Sequence, residues 1–214
     1  MKYQIEVFIT EKIFLITVKP NILIIVIDSL RSDKCIGNSK TSKTPNFDKM
    51  IKDGIFFKNT ISSIPATKLA TASILTGLYP CNTGIQEDNF FKLNSSINTL
   101  TSILKNNDYC LYGTFPQLFL STNLTDDFEN DNKIYDTFTG RLENTLGNQI
   151  ISNLLSLKTK EPWLYYIHLF DLIRPVISYG NFNSKNFGFD HYDRVVSTID
   201  FWLGKILKNI DHEN

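Results

Sequence analysis

The run Asn21-Ile-Leu-Ile-Ile-Val-Ile27 constrains the fold of this chain more than any other stretch. An unbroken aliphatic and β-branched segment, entered through Pro20, has the pattern of a strand buried on both faces in a parallel sheet. Its carboxyl end delivers Asp28. Parallel strands are joined by crossovers, usually helical, and the following sequence supplies them. Thr44-Pro45 opens a helix with Phe47, Met50 and Ile51 at helical spacing and Gly54 as its stop, and Ile55-Phe-Phe57 reads as the next strand. Ala66 to Thr76 reads as a second helix, ended by Gly77 and Pro80. A third, from about Ile97 to Asn106, feeds a strand at Tyr109-Cys-Leu-Tyr-Gly113.

From Phe115 to Phe138 periodicity is lost, and the acidic patch Asp126, Asp127, Glu129, Asp131 falls there. We expect an irregular excursion over the carboxyl edge of the sheet. Helix returns near Leu142 to Leu157. Trp163-Leu-Tyr-Tyr-Ile-His-Leu169 then reads as a strand delivering His168 and Asp171. A loop through Asn186 precedes a final helix marked by Val196, Ile199, Leu203, Ile206 and Ile210, and Asp190 and His191 read as part of a polar loop. This alternation predicts an α/β fold with a mainly parallel sheet, whose ligands gather at the carboxyl ends of its strands. Asp28 and His168 both fall there.

Composition narrows the classes. At 214 residues with 42% hydrophobic content, the chain has the material for one domain with a sizeable core. Its 22 basic residues balance 22 acidic ones, so no global field draws it to nucleic acid or an anionic membrane surface. Cys35, Cys81 and Cys110 are widely spaced and form no C-x-x-C pair, which argues against a disulfide framework or zinc site; they read as buried small hydrophobes. The apolar run Tyr3 to Val18 is interrupted by Glu6, Glu11 and Lys12. It matches neither a signal-peptide core nor a membrane span, so a cytoplasmic location is expected.

Four residues could carry chemistry. A carboxylate such as Asp28, fixed at a strand end, can bind a cation through oxygen, although such residues more often cap turns. Thr67 falls in the first helical turn, where unpaired N–H groups and the helix dipole favour an alkoxide and a tetrahedral oxyanion; the commoner role of threonine there is an N-cap. Lys68 could contact a bound sulfate or phosphate. His168 could orient substrate or leaving group, or be a core histidine bonded across the sheet, while Asp171 could organise its loop. Arg31 and Asp33 read as a structural ion pair.

Four ordered blocks resemble the sulfatase family of the alkaline phosphatase superfamily. Pro20 to Asp33 is similar to the opening strand and metal-ligand turn. Thr44-Pro-Asn-Phe-Asp48 through Gly54-Ile-Phe-Phe-Lys-Asn59 resembles the T-P-N-L-D helix and the strand after it. Thr76-Gly-Leu-Tyr-Pro80 resembles the close of the nucleophile helix, and Trp163 to Asp171 the H-x-x-D-P-H segment. The resemblance implies a three-layer α/β/α fold over residues 20–214, preceded by an extension at 1–19. It further implies Thr67 as nucleophile with His168 as catalytic partner, a divalent metal (Mn, Zn, Mg or Ca) on Asp28 and Thr67, and Lys68 with Arg174 as substrate-binding residues. The substrate would be a small-molecule, glycan or lipid ester of sulfate or phosphate.

Departures from the pattern sharpen these expectations. The nucleophile position in ordinary sulfatases holds Cys or Ser, oxidised to formylglycine; threonine, with a methyl on its β-carbon, cannot give that aldehyde. Thr71 stands where the motif has arginine, and Ile173 where it has a second histidine. Threonine at this place resembles the phosphoethanolamine and glycerophosphate transferases and certain phosphodiesterases. Asp211-His212 falls at a helix end rather than after the strand that bears the family's remaining metal ligands, so the fold is expected to be incomplete at its carboxyl end. The alternative reading is therefore a catalytically incomplete fragment, split half or remnant, with a partner chain completing the fold.

Overall fold

The structure, a computed structural model, describes residues 19–83, 92–173 and 175–210. The run Tyr3 to Val18, Arg174 and Asp211-His212 lie outside them. Four parallel strands form one sheet in the order β1-β4-β2-β3: β1 (Ile22–Ile27), β2 (Cys110–Pro116), β3 (Ile134–Tyr135) and β4 (Trp163–Leu169). The alternation of side chains along each strand sorts them into two cores. Leu23, Ile25 and Ile27 of β1 join Trp163, Tyr165, Ile167 and Leu169 of β4 against helices α5 (Gly147–Leu157) and α6 (His191–Lys208). On the other face Ile22, Ile24 and Val26 join Leu164 and Tyr166 against α3 (Thr67–Thr76), with Leu104 of α4 (Leu100–Lys105) at the margin. This is the expected three-layer α/β/α arrangement.

The aromatic core on the α3 face is tightly built: Phe115 stacks on Tyr166 at 5.0 Å between centroids and meets Phe128 edge-on at 4.9 Å. On the opposite face the buried Tyr165 hydroxyl is satisfied by Thr114 at 2.7 Å and by the Asn153 amide at 3.1 Å. Burying such a group without partners would cost about 1–3 kcal/mol.

The T-P-N block earns its place through long-range capping. Helix α2 (Pro45–Asp53) has no side-chain cap from Thr44. Instead the Asp200 carboxylate of α6 accepts the Asn46 and Phe47 backbone N–H groups at 3.2 and 2.8 Å. Asn46 lies so close to α6 that a Cβ on Gly204 would meet its side chain at 2.6 Å. The short helical turn α1 (Ser32–Cys35) follows β1 and also lies by α6.

Several expectations are corrected. β1 is half-exposed at every residue; among the described residues it pairs with β4 alone. Ile55-Phe-Phe57 forms no strand; Ile55 is 86% and Phe57 74% exposed. The excursion after β2 contains the short strand β3, whose two residues are too few to show a period. Asp190 and His191 are not in a loop: Asp190 caps α6, accepting the Asp193 N–H at 2.9 Å, and His191 is the first helical residue. Of the cysteines only Cys35 is buried; Cys110 is half-buried, and Cys81 is exposed on the surface turn that follows α3.

Candidate active site

β1 and β4 run in parallel register with Val26 opposite His168, and Asp28 N–H donates to Leu169 O at 3.0 Å. Period-two alternation therefore puts Asp28 and His168 on the same face of the sheet, the face that α3 covers. Thr67, the first residue of α3, completes the group. Its hydroxyl donates to Asp28 Oδ2 at 2.8 Å. The N-cap is Ala66, which has no side chain to cap with, so the N-cap reading of Thr67 falls away and the first-turn N–H groups stay uncapped by it.

His168 is 1% exposed, and its Nε2 lies 3.5 Å from Asp28 Oδ2. That distance is beyond a well-formed hydrogen bond, and neither ring nitrogen has a hydrogen-bond partner among the described residues. The core-histidine reading, which requires bonds across the sheet, is thus not met. The ring packs against Phe119 at 5.3 Å and Phe170 at 5.7 Å instead.

Asp28 is partly buried, which pushes its pKa up, but His168, Thr67 and the Ser29 hydroxyl outweigh this, leaving the group below the ordinary aspartate value. Ser29 donates to the other oxygen, Oδ1, at 3.0 Å. The turn holding these groups is strained: Ser29 has φ 59°, a left-handed conformation that costs a residue with a side chain about 1–2 kcal/mol. Tyr192 of α6 holds it by donating to Ser29 O at 2.6 Å and accepting the Arg31 N–H at 2.8 Å. Tyr192 is the site-shaping residue that sequence reasoning missed, since nothing local announces a partner 163 residues away.

Asp28, Thr67 and His168 line an open pocket of about 460 Å³, walled by Ile64, Pro65, Ala70 and Ile74. Lys68 is not among the residues lining it; its ammonium donates to Ser121 Oγ at 2.8 Å. Arg31 and Asp33 form the expected ion pair, at 2.8 Å and exposed. Asp171 organises its loop, accepting the Leu142 N–H at 3.1 Å.

The metal expectation can be tested on the donor set. Asp28 and Thr67 offer oxygen donors of the kind hard divalent ions take, as part of a shell of about six. Among the described residues no group of three or more His, Cys, Asp or Glu side chains could hold a metal ion. As ligands for such an ion, Asp28 and Thr67 would be a partial set.

Comparison with known proteins agrees with the geometry. The family model for sulfatases matches residues 20–214. The chain belongs to the sulfatase family, within the alkaline phosphatase-like superfamily. It is 40% identical over 62 residues to the arylsulfatase of Clostridium perfringens, a match covering 28% of this chain and 13% of that protein. It is 36% identical over 70 residues to the multifunctional alkaline phosphatase superfamily protein PehA of Trinickia caryophylli, covering 30% and 14%. Among solved structures, a Bacteroides thetaiotaomicron protein described for glycosaminoglycan metabolism superposes with TM-score 0.68 at 16% identity, covering 91% of this chain and 59% of its own. The lipoteichoic acid synthase LtaP of Listeria monocytogenes superposes with TM-score 0.63 at 17% identity, covering 89% and 52%. At such identities the structures show the fold. The chain spans little more than half the length of these structural neighbours.

Proposed function

We propose that this chain is the nucleophile-bearing part of a sulfatase-family hydrolase or transferase acting on sulfate or phosphate esters, with Thr67 as nucleophile. The observation that carries the reading is the 2.8 Å bond from the Thr67 hydroxyl to Asp28 at the start of α3. Thr67 Oγ1 attacks the sulfur or phosphorus in line, the ester oxygen departs, and water or an acceptor alcohol later releases the group from Thr67. Asp28, ionised at neutral pH, orients the hydroxyl and accepts its hydrogen bond. The first-turn N–H groups of α3 face the charge that develops on the transferring group. His168, with two unpartnered ring nitrogens, is placed to serve the leaving oxygen.

A divalent ion on Asp28 and Thr67 would act as a Lewis acid on the ester and lower the hydroxyl's pKa. Arg174 is carried as a substrate contact from the sequence pattern, while Lys68 would have to leave Ser121 to become one. Thr67 cannot form formylglycine, which favours a covalent threonine ester over aldehyde-hydrate chemistry.

The test is turnover of aryl sulfate, aryl phosphate and diaryl phosphate, with and without Mn²⁺ or Zn²⁺. Thr67→Ala should lower any activity found by about 10³-fold or more while retaining the fold. Mass spectrometry of the wild type should trap the group on Thr67. Unchanged turnover in Thr67→Ala excludes it as nucleophile.

A second reading, an incomplete half that needs a partner chain, draws on β1, which is half-exposed and among the described residues pairs with β4 alone, and on the exposed Ile55, Phe57 and Ile61. Such an edge invites pairing with another strand. Silence across all three substrates with metal present decides for it.

A further inference from the structure

Beyond the end of β4 lies a second group of ionisable side chains, the buried Asp171 with the half-buried Arg141 and Glu143, that the reaction above does not use. Asp171 is 6% exposed, and while its Oδ1 accepts the Leu142 N–H, its Oδ2 has no partner among the described residues. Asp171 lines a cavity of about 20 Å³, room for one water, together with Arg141, Glu143, Tyr179, Val195 and Thr198. Buried polar atoms are nearly always satisfied, and a carboxylate stripped of water without a partner gains stability by holding a proton.

The groups around it come from every neighbouring element. Arg141 and Glu143 lie ahead of α5, and the Arg141 guanidinium donates to Phe170 O at 3.0 Å. Tyr135 of β3 donates to His168 O at 2.9 Å. From α6, Thr198 turns its hydroxyl to Arg194 O at 3.0 Å, and Tyr179 closes the cavity from the segment after β4. Two carboxyl groups thus share a cavity with one guanidinium.

We propose that Asp171 and Glu143 hold one proton between them across this cavity and act as a pH-operated latch on the segment that carries His168. With the proton in place, the Asp171–Leu142, Arg141–Phe170 and Tyr135–His168 bonds tie β3, the end of β4 and the start of α5 into one block. When the proton leaves, the buried Asp171 carboxylate and the half-buried Glu143 carboxylate face a single guanidinium and the block loosens. Burial pushes Asp171 up to about 6, against the opposing pull of the Leu142 N–H and Arg141. Burial and the Asp171 charge also raise Glu143. The sign follows: the folded state binds this proton more tightly than the unfolded chain, so the stabilisation is full below the ordinary aspartate range and is lost as pH rises through about 6.

The experiment is thermal unfolding of the full chain between about pH 4.5 and pH 7.5, a window that reaches from near the ordinary carboxylate range to well above it. This pair should lower the wild-type midpoint by about 5–10 °C across that window. Asp171→Asn should remove that fall, and Glu143→Gln should shift the decline to higher or lower pH while keeping the fold. Equal pH slopes in wild type and Asp171→Asn overturn the proposal. Should Asp171→Asn fail to fold, Glu143→Gln carries the test, and a decline centred at the wild-type pH overturns it.

Discussion

β1 and β4 are near-twins in sequence character and opposites in setting. Both are continuous apolar runs, they pair in parallel register, and each ends by presenting a polar residue on the α3 face. Yet β4 is buried at every position and β1 at none. Among the described residues the difference is one of neighbours: β4 lies between β1 and β2, whereas β1 pairs with β4 alone. An apolar run reports that both faces of a strand are meant to be covered; it carries no information on how many strands flank it. The consequence reaches the site. Both groups line one pocket, but His168 is packed against aromatic rings while Asp28 is the more open of the two, so they differ in how firmly their surroundings hold them.

The largest effect should separate the two strand ends by activity. Asp28→Asn removes the carboxylate that orients Thr67 and should cost turnover about 10³-fold, near 4 kcal/mol of barrier. His168→Asn should cost about 10²-fold, as expected for a group assisting proton transfer rather than orienting the nucleophile. Steady-state kinetics on whichever ester the wild type turns over checks both. A His168 loss exceeding that of Asp28 would reverse the roles assigned to the two strands.

A smaller effect should appear in stability. Tyr166→Ala removes a fully buried ring stacked on Phe115 and should cost about 3–5 kcal/mol. Ile24→Ala, on the same sheet face of the half-exposed β1, should cost about half that, since the side chain already meets solvent. Urea unfolding of both variants measures the contrast. Equal losses would mean that β1 is covered in solution, which is the outcome the incomplete-half reading requires once its partner is present.

The same contrast explains what the sequence could and could not reveal. The strand runs at Ile22–Ile27 and Trp163–Leu169, the helix start at Pro45 and the placement of Thr67 in the first turn of α3 were all legible, because each depends on local periodicity or on Pro and Gly at helix ends. The Thr67–Asp28 contact became legible only through the family resemblance, since 39 residues separate its partners. What stayed hidden depends on distant partners: the capping of α2 by Asp200, the grip of Tyr192 on Ser29, the cavity that Glu143 and Asp171 share, and the exposure of Ile55-Phe-Phe57 in spite of its strand-forming residues. Asp190 is a different case. An aspartate just before an apolar-periodic run is an available N-cap signal, and reading the stretch as loop passed over it.

The smallest effect tests the backbone itself. Asp28 is followed by Ser29 in a left-handed conformation, shared among the described non-glycine residues with Asp108 alone, whereas Asp171, at the equivalent place after β4, has no positive φ. Ser29→Gly relieves about 1–2 kcal/mol of backbone strain. It also adds unfolded-state entropy worth about 0.5–1 kcal/mol and removes the hydroxyl's bond to Asp28, worth about 1 kcal/mol on a partly exposed carboxylate. These terms nearly cancel, so Ser29→Gly should change unfolding stability by less than about 0.5 kcal/mol. Ser29→Ala, which keeps the strain and loses the bond, should be the more destabilising of the two. Should Ser29→Ala prove the more stable, the left-handed turn is not strained, and the asymmetry between the two strand ends rests on burial alone.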